Sequence, residues 1–386
     1  MTLSWINDEL HEIEANGLLR RLRTLASTQG PVIELDGKSV LNFSGNDYLG
    51  LAGDRRLIKA AQAAAGRWGA GAGSSRLIAG NLAIFTRLEA ALAEWVGAPA
   101  ALLFTSGYHA NIGAICSLAG PGDAVFSDRL NHASIIDGCR LSRASINIYD
   151  HGDAAHLDRL LAAAKSARRR LVVTETVFSM EGDVAPLPAL IVTARRHNAM
   201  IMVDEAHALG VLGPTGRGAL EHFGFSAADV DVLMATLGKA LGSSGAFVAG
   251  SRELIAFLIN RARTFIFTTG PAPAAAGAAL EALRIIREEP WRRDRVLAHA
   301  DRLRAALSVM GQDAGGSSAA IVPVVLGPPE AALRLSSTLL DRNIYAQAIR
   351  PPTVPAGSSR LRISLSAGHT DEQMNKLIEA LKEAIR

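Results

Sequence analysis

Two cysteines in 386 residues, Cys116 and Cys139, leave no basis for a secreted disulfide framework. No apolar run reaches the ~18–20 residues that a membrane helix requires. A surplus of one charge is also lacking: 40 Lys and Arg stand against 37 Asp and Glu, a formal charge of +3. That balance points away from nucleic acid and polyanions as partners. The first 23 residues carry Asp8, Glu9, Glu12 and Glu14 and lack the basic-then-apolar order of a secretory signal. No His and Cys set has metal-ligand spacing. Long low-complexity segments and internal repeats are absent too. What remains, 49% apolar and 20% charged, is the composition of a folded chain with about two domains. The expectation is a reduced, soluble, cytoplasmic enzyme that binds neither nucleic acid nor membrane.

The chain opens with an amphipathic pattern over the first 23 residues, with Trp5, Ile6, Leu10, Ile13 and Leu18 on one face. A hairpin is predicted next, Val32 to Leu35 and Ser39 to Phe43 around Asp36-Gly37. Seven short apolar runs then alternate with helical stretches such as 156–167 and 187–197. They are 100–104, 124–126, 146–149, 171–174, 200–203, 232–235 and 246–249. Several are apolar almost throughout, as strands buried on both faces are. The pattern predicts an α/β domain with a mostly parallel sheet. A long helical region, 273–309, leads into a βαβα-like tail with strands at 321–326 and 360–365. Three segments are expected: 1–45 as helix and hairpin, 46–284 as the large α/β domain, and 285–386 as a smaller α/β domain.

Open α/β sheets bind ligands at the carboxyl ends of their strands, so the residues just after each strand matter most. Thr105-Ser106-Gly107-Tyr108-His109-Ala110-Asn111 opens a helix, either simply capped or placed to bind a phosphate. Asp204-Glu205-Ala206-His207 brings two acids out of a buried strand, which is costly unless they are paired. A nucleotide-driven motor would need a phosphate loop, and Gly37-Lys38-Ser39 has Val32 where that loop's first glycine belongs. Thr236-Leu237-Gly238-Lys239 places a lysine among apolar residues, as a snorkelling surface residue or as an amine made nucleophilic by desolvation. Together these segments supply an anion cradle, a carboxylate for a pyridinium nitrogen, a partner for a phenolate and a lysine for an aldehyde. Those are the needs of pyridoxal 5′-phosphate.

Further segments carry a family resemblance: Asn42 to Gly50, Gly73-Ser74-Ser75-Arg76, Asn131-His132-Ala133-Ser134 and Phe178 to Asp183. With the strand-end residues they resemble the α-oxoamine synthases, a branch of the aspartate-aminotransferase-like, fold type I pyridoxal phosphate enzymes. The resemblance implies that Lys239 holds the aldehyde, Asp204 the ring nitrogen and His207 the phenolate oxygen, while His132 stacks over the ring. It implies phosphate contacts at Gly107, Tyr108 and Thr236, a site lined by Glu175 and Ser179, and Arg362 on the amino-acid carboxylate. It further implies a homodimer in which Asn46, Ser75 and the Phe267 to Gly270 segment, including Thr268, reach the neighbour's site. Thr353 and Arg20, the latter next to Arg21, match substrate-contact positions. His109, His151, His156 and His197 are left as surface or capping residues.

Within the family, Ile349 to Gly357 is similar to the branch that joins L-alanine to a pimeloyl thioester in biotin synthesis. That branch releases carbon dioxide and a free thiol, either coenzyme A or an acyl carrier protein. The alternatives are a glycine-using sister of the 2-amino-3-ketobutyrate ligase or 5-aminolevulinate synthase type, an aminotransferase, or a non-catalytic cofactor-binding protein.

Overall fold

The computed structural model describes residues 3–385, grouped into two compact units. The larger is built from Asn46–Ser179 and Asp183–Leu297; the smaller takes the chain up to Gly45, Met180–Gly182 and the chain from Ala298 onward. This grouping differs from the expected boundaries. The second cut falls inside the helix Trp291–Val309, and the N-terminal residues join the C-terminal ones.

The first helix is shorter than its amphipathic pattern, running Trp5–Ala15 with no residue buried within the chain. Gly17 ends it: at φ +65° it accepts the left-handed turn that lets Leu18 N donate to Ile13 O at 2.9 Å. Strands β1 (Val32–Leu35) and β2 (Lys38–Asn42) form the expected hairpin. Its two turn residues, Asp36 and Gly37, both have positive φ, as a two-residue type I′ turn demands.

The seven apolar runs become β3 (Ala100–Phe104), β4 (Ala124–Asp128), β5 (Ser145–Tyr149), β6 (Arg170–Glu175), β7 (Met200–Asp204), β8 (Val232–Thr236) and β9 (Ala246–Gly250). They make one sheet in the order β3-β9-β8-β7-β6-β4-β5, with β9 antiparallel to both neighbours and β4 to β8 mutually parallel. Helices cover both faces, so β4 and β9 are buried at every position. Val125, Leu171, Val173 and Met202 are fully enclosed, each side chain contributing roughly 1.5–3 kcal/mol of burial. Register does the functional work: Glu175 pairs with Asp204, so the ends of β6 and β7 line up, while Asp204 pairs with Met234 and β8 runs two residues further to Thr236.

Two helices, Gly107–Leu118 and Ala133–Ser142, pack closely beside these ends. Gly138 permits the approach, since a Cβ there would lie 3.0 Å from Ile115 Cδ1. The long helical region breaks at Pro290, which has no N–H to continue the ladder, into Pro273–Glu288 and Trp291–Val309.

In the smaller unit, β10 (Ile321–Gly327), β11 (Ile344–Tyr345), β12 (Gln347–Ile349) and β13 (Ser359–Ser364) follow. The order β10-β13-β12 is antiparallel throughout, a departure from the βαβα-like reading of the tail. Strand β11 pairs in parallel with β2, which is why the N-terminal hairpin groups with the C-terminal residues. Among the described residues no helix is long and apolar enough to cross a membrane.

Candidate active site

Asp204, the last residue of β7, is 4% exposed. Its Oδ2 accepts from Asn111 Nδ2 at 2.9 Å and its Oδ1 from the Ala206 amide at 2.9 Å. Glu205, next in the chain, turns the other way. It accepts from the amides of Ala219 and Leu220 and from the Thr176 hydroxyl, and burial pushes its pKa up to about 7. The two adjacent acids therefore serve different ends, Asp204 facing the site and Glu205 capping the short helix Ala219–His222.

His207 lies one turn beyond. Its Nε2 is 2.8 Å from Lys239 Nζ and its Nδ1 is 2.6 Å from the Tyr48 hydroxyl, which in turn is 3.2 Å from Asn46 Oδ1. An ammonium has donors only, so a charged Lys239 requires a lone pair on Nε2 and the proton on Nδ1. Nδ1–H then donates to the Tyr48 oxygen, and the Tyr48 hydroxyl donates to Asn46. Sequence reasoning gave Tyr48 no role, although it lies in the quoted Asn42 to Gly50 segment.

Lys239 is half-buried on a tight turn after β8. Thr236 Oγ1 closes that turn by donating to Gly245 O at 3.0 Å and accepting from Gly238 N at 3.2 Å. Across from it, Ser106 caps the helix Gly107–Leu118 by accepting from His109 N. The first helical bond runs from Ala110 N to Ser106 O, so the amides of Gly107 and Tyr108 precede it and favour an anion. The Tyr108 ring is exposed, its hydroxyl donating to Asp137 Oδ2 at 2.6 Å.

His132 caps the helix Ala133–Ser142, its Nδ1 accepting from Ser134 N at 3.2 Å. Burial lowers its pKa below the usual histidine value, Asp204 opposes that shift and Lys239 adds to it. Asn131 fixes this corner: its amide donates to Ser127 Oγ and Val173 O and accepts from Glu175 N. Glu175 and Ser179 are buried, and the pair Val177 and Val184 brackets the turn that carries Ser179. His151, left as a surface or capping residue, instead bridges Asp128 and Asp183 at 3.0 and 2.9 Å.

Ser75 pairs with Thr269, and Gly270 N donates to Ser74 O, which ties the loop around Ser75 to half-buried Thr268 and its neighbours. The smaller unit carries the other predicted residues. Arg362 on β13 is buried and donates to Ser364 Oγ at 2.7 Å. Arg20 and Thr353, far apart in sequence, meet at 3.4 Å. Both line a cavity of about 710 Å³ whose wall also includes Arg21, Leu25, Leu333 and Arg350.

The larger unit's residues fit pyridoxal phosphate. A helix start suited to an anion, a buried carboxylate at a strand end, a lysine and a histidine beside that lysine meet the four requirements named above.

The aminotransferase class I and II family model matches residues 38–381. An 8-amino-7-oxononanoate synthase from an Anaeromyxobacter species is 55% identical over 384 residues, 100% of this chain and 96% of the relative. The enzyme of the same name from Methylococcus capsulatus is 50% identical over 376 residues, 97% of each. A serine palmitoyltransferase variant from S. paucimobilis, solved with a bound PLP–myriocin aldimine, superposes with a TM-score of 0.93 at 32% identity, covering 99% of this chain and 97% of that one. The chain thus belongs to the aminotransferase class I and II family, in its α-oxoamine synthase branch.

Proposed function

We propose that the chain condenses L-alanine with a pimeloyl thioester to give 8-amino-7-oxononanoate, carbon dioxide and the free thiol, a step of biotin synthesis. The observation that carries the reading is Lys239 Nζ at 2.8 Å from His207 Nε2, beside the buried Asp204, in a chain about half identical to enzymes of that name. The cofactor is pyridoxal 5′-phosphate. When bound, it supplies an electron sink for the amino acid's Cα.

The chain's residues do the rest. Lys239 Nζ would hold the cofactor by its aldehyde and would serve as general base toward the Cα proton. Asp204 keeps a proton on the ring nitrogen. His207, oriented by Tyr48, would serve the phenolate oxygen, and His132 would pack against the ring. The amides of Gly107 and Tyr108 would hold the phosphate, joined by the Thr236 hydroxyl once it turns from Gly245 O, and Glu175, Ser179 and Thr268 would line the site. Arg362 grips the alanine carboxylate, which later leaves as carbon dioxide. Asn46, Arg20 and Thr353 contact substrate. Cα attacks the thioester carbonyl, the C–S bond breaks and the thiol departs on coenzyme A or an acyl carrier protein. Lys239 returns a proton to Cα after decarboxylation.

The working form is a cytoplasmic homodimer with shared sites, a reading supported by the exposed apolar residues Trp5, Leu10, Ile78 and Phe267. Sedimentation showing a fully active monomer refutes it. Substrate choice is tested by thiol release from pimeloyl-, acetyl-, succinyl- and palmitoyl-coenzyme A with alanine, glycine or serine. One methyl is worth only about 1–3 kcal/mol of discrimination, so weak turnover of glycine is expected. Turnover only with glycine or serine and another acyl donor overturns the alanine–pimeloyl assignment.

A further inference from the structure

Asn111 sits one turn into the helix Gly107–Leu118 and is 1% exposed. Its amide nitrogen donates twice, to Asp204 Oδ2 at 2.9 Å and to Ser134 Oγ at 2.8 Å. Its Oδ1 is buried without a hydrogen-bond partner. Flipping the amide would give Oδ1 a position 2.9 Å from a carboxylate oxygen, so Asp204 dictates which end points inward. A buried unpaired carbonyl costs about 1–3 kcal/mol, a cost this position bears while keeping both N–H bonds.

The hydrogens then propagate in one direction. Ser134 Oγ receives an N–H from Asn111, so its own hydroxyl hydrogen is free to point to His132 Nδ1 at 2.8 Å. The same Nδ1 also receives a longer bond, 3.2 Å, from the Ser134 amide, so the shorter hydroxyl bond and the amide bond together disfavour a proton there in the neutral ring. His132 is therefore the Nε2–H tautomer, its protonated edge turned away from Ser134. Asp204, Lys239 and Asp137 are the charged groups that act on this ring.

We propose that Asn111 is a positioning residue that couples Asp204 to His132, aiming the carboxylate with one N–H and setting the imidazole tautomer through Ser134 with the other. The inference rests on the pyridoxal phosphate reading for its consequence: one side chain orients both the group under the ring nitrogen and the group stacked on the ring. The proton arrangement itself belongs to the protein alone.

The test uses full-length protein labelled with ¹³C-histidine, with the His132 signal assigned by His132→Gln. Wild type is expected to show the Nε2–H tautomer across neutral pH, with and without cofactor. Ser134→Ala removes the 2.8 Å hydroxyl relay, keeps only the longer 3.2 Å amide bond, and is expected to let the Nδ1–H form rise to at least about a tenth of the population. Asn111→Leu, of the same branched outline but without polar atoms, is expected to do the same and also to weaken retention of pyridoxal phosphate about tenfold, because Asp204 loses a donor. Should Asn111→Leu fail to fold, Ser134→Ala decides through the tautomer alone. An unchanged His132 tautomer in Ser134→Ala overturns the proposal, as does unchanged cofactor retention in a folded Asn111→Leu. Wild type that takes up no pyridoxal phosphate would refute the functional reading and leave the tautomer result standing.

Discussion

Replacing His151 by glutamine removes a cation from between two acids at the edge of the site. In the native chain the ring bridges Asp128 and Asp183 at 3.0 and 2.9 Å and lies edge-on to Phe178, centroids 4.3 Å apart. Carboxylates only accept, so both ring nitrogens must carry protons. Burial disfavours that charge, but the bonds and charges of the two aspartates prevail and carry the pKa from 6.5 up to about 10. A folded-state pKa above the unfolded one stabilises in full below pH 6.5, fades as pH climbs and is gone above about 10. The slope in that window is about 1.4 kcal/mol per pH unit. The full gap corresponds to roughly 5 kcal/mol. The ring is 28% exposed, so two charge-assisted bonds of about 1.5 kcal/mol each, ~3 kcal/mol together, are the better measure. Denaturant unfolding of wild type and His151→Gln from pH 6.5 to 10.5 is the assay, with hydrogen exchange over residues 176–184 to localise the effect. The gap in stability should be about 3 kcal/mol at the acid end and close within ~1 kcal/mol at the alkaline end. Parallel pH curves for the two proteins would refute the clamp.

Borohydride reduction of the holoenzyme should fix the cofactor on a peptide containing Lys239, and Lys239→Ala should bind cofactor yet lose turnover; label on Lys38 or Lys165 contradicts this. Asp204→Asn should lower turnover at least about 100-fold, equivalent to roughly 2.7 kcal/mol of barrier, since an amide cannot sustain a protonated ring nitrogen. Near-normal rates in that variant would remove the role given to Asp204. Tyr48→Phe keeps the buried ring but takes the acceptor from His207 Nδ1, so kcat should fall about tenfold, ~1.4 kcal/mol. Its unfolding free energy should drop by only about 1–2 kcal/mol, and a kcat within twofold of wild type would rule out the His207 orientation described above.

The strands of the large sheet were legible because burial on both faces demands unbroken apolar runs, and all seven runs became strands. The first helix was overextended because its apolar spacing continues to Leu18, while Gly17 turns the backbone out of the helix first. Strands β11 and β12 were missed: at two and three residues they are too short for any alternation to register. At the candidate site, the strand-end rule singled out Asp204, His207, Thr236 and Lys239, and the fold brings His207 and Lys239 together. Residues whose importance lies in a partner could not be read that way. Asn111 gains its meaning from Asp204, 93 positions away, and His151 from Asp128 and Asp183. The contrast between Asp204 and Glu205 shows why. Consecutive residues leaving a strand point to opposite sides. One carboxylate meets Asn111 in the site, and its neighbour meets the amides of Ala219 and Leu220 behind it. Local sequence says that two acids leave the strand together; only the partners that fold around them decide which one faces the chemistry.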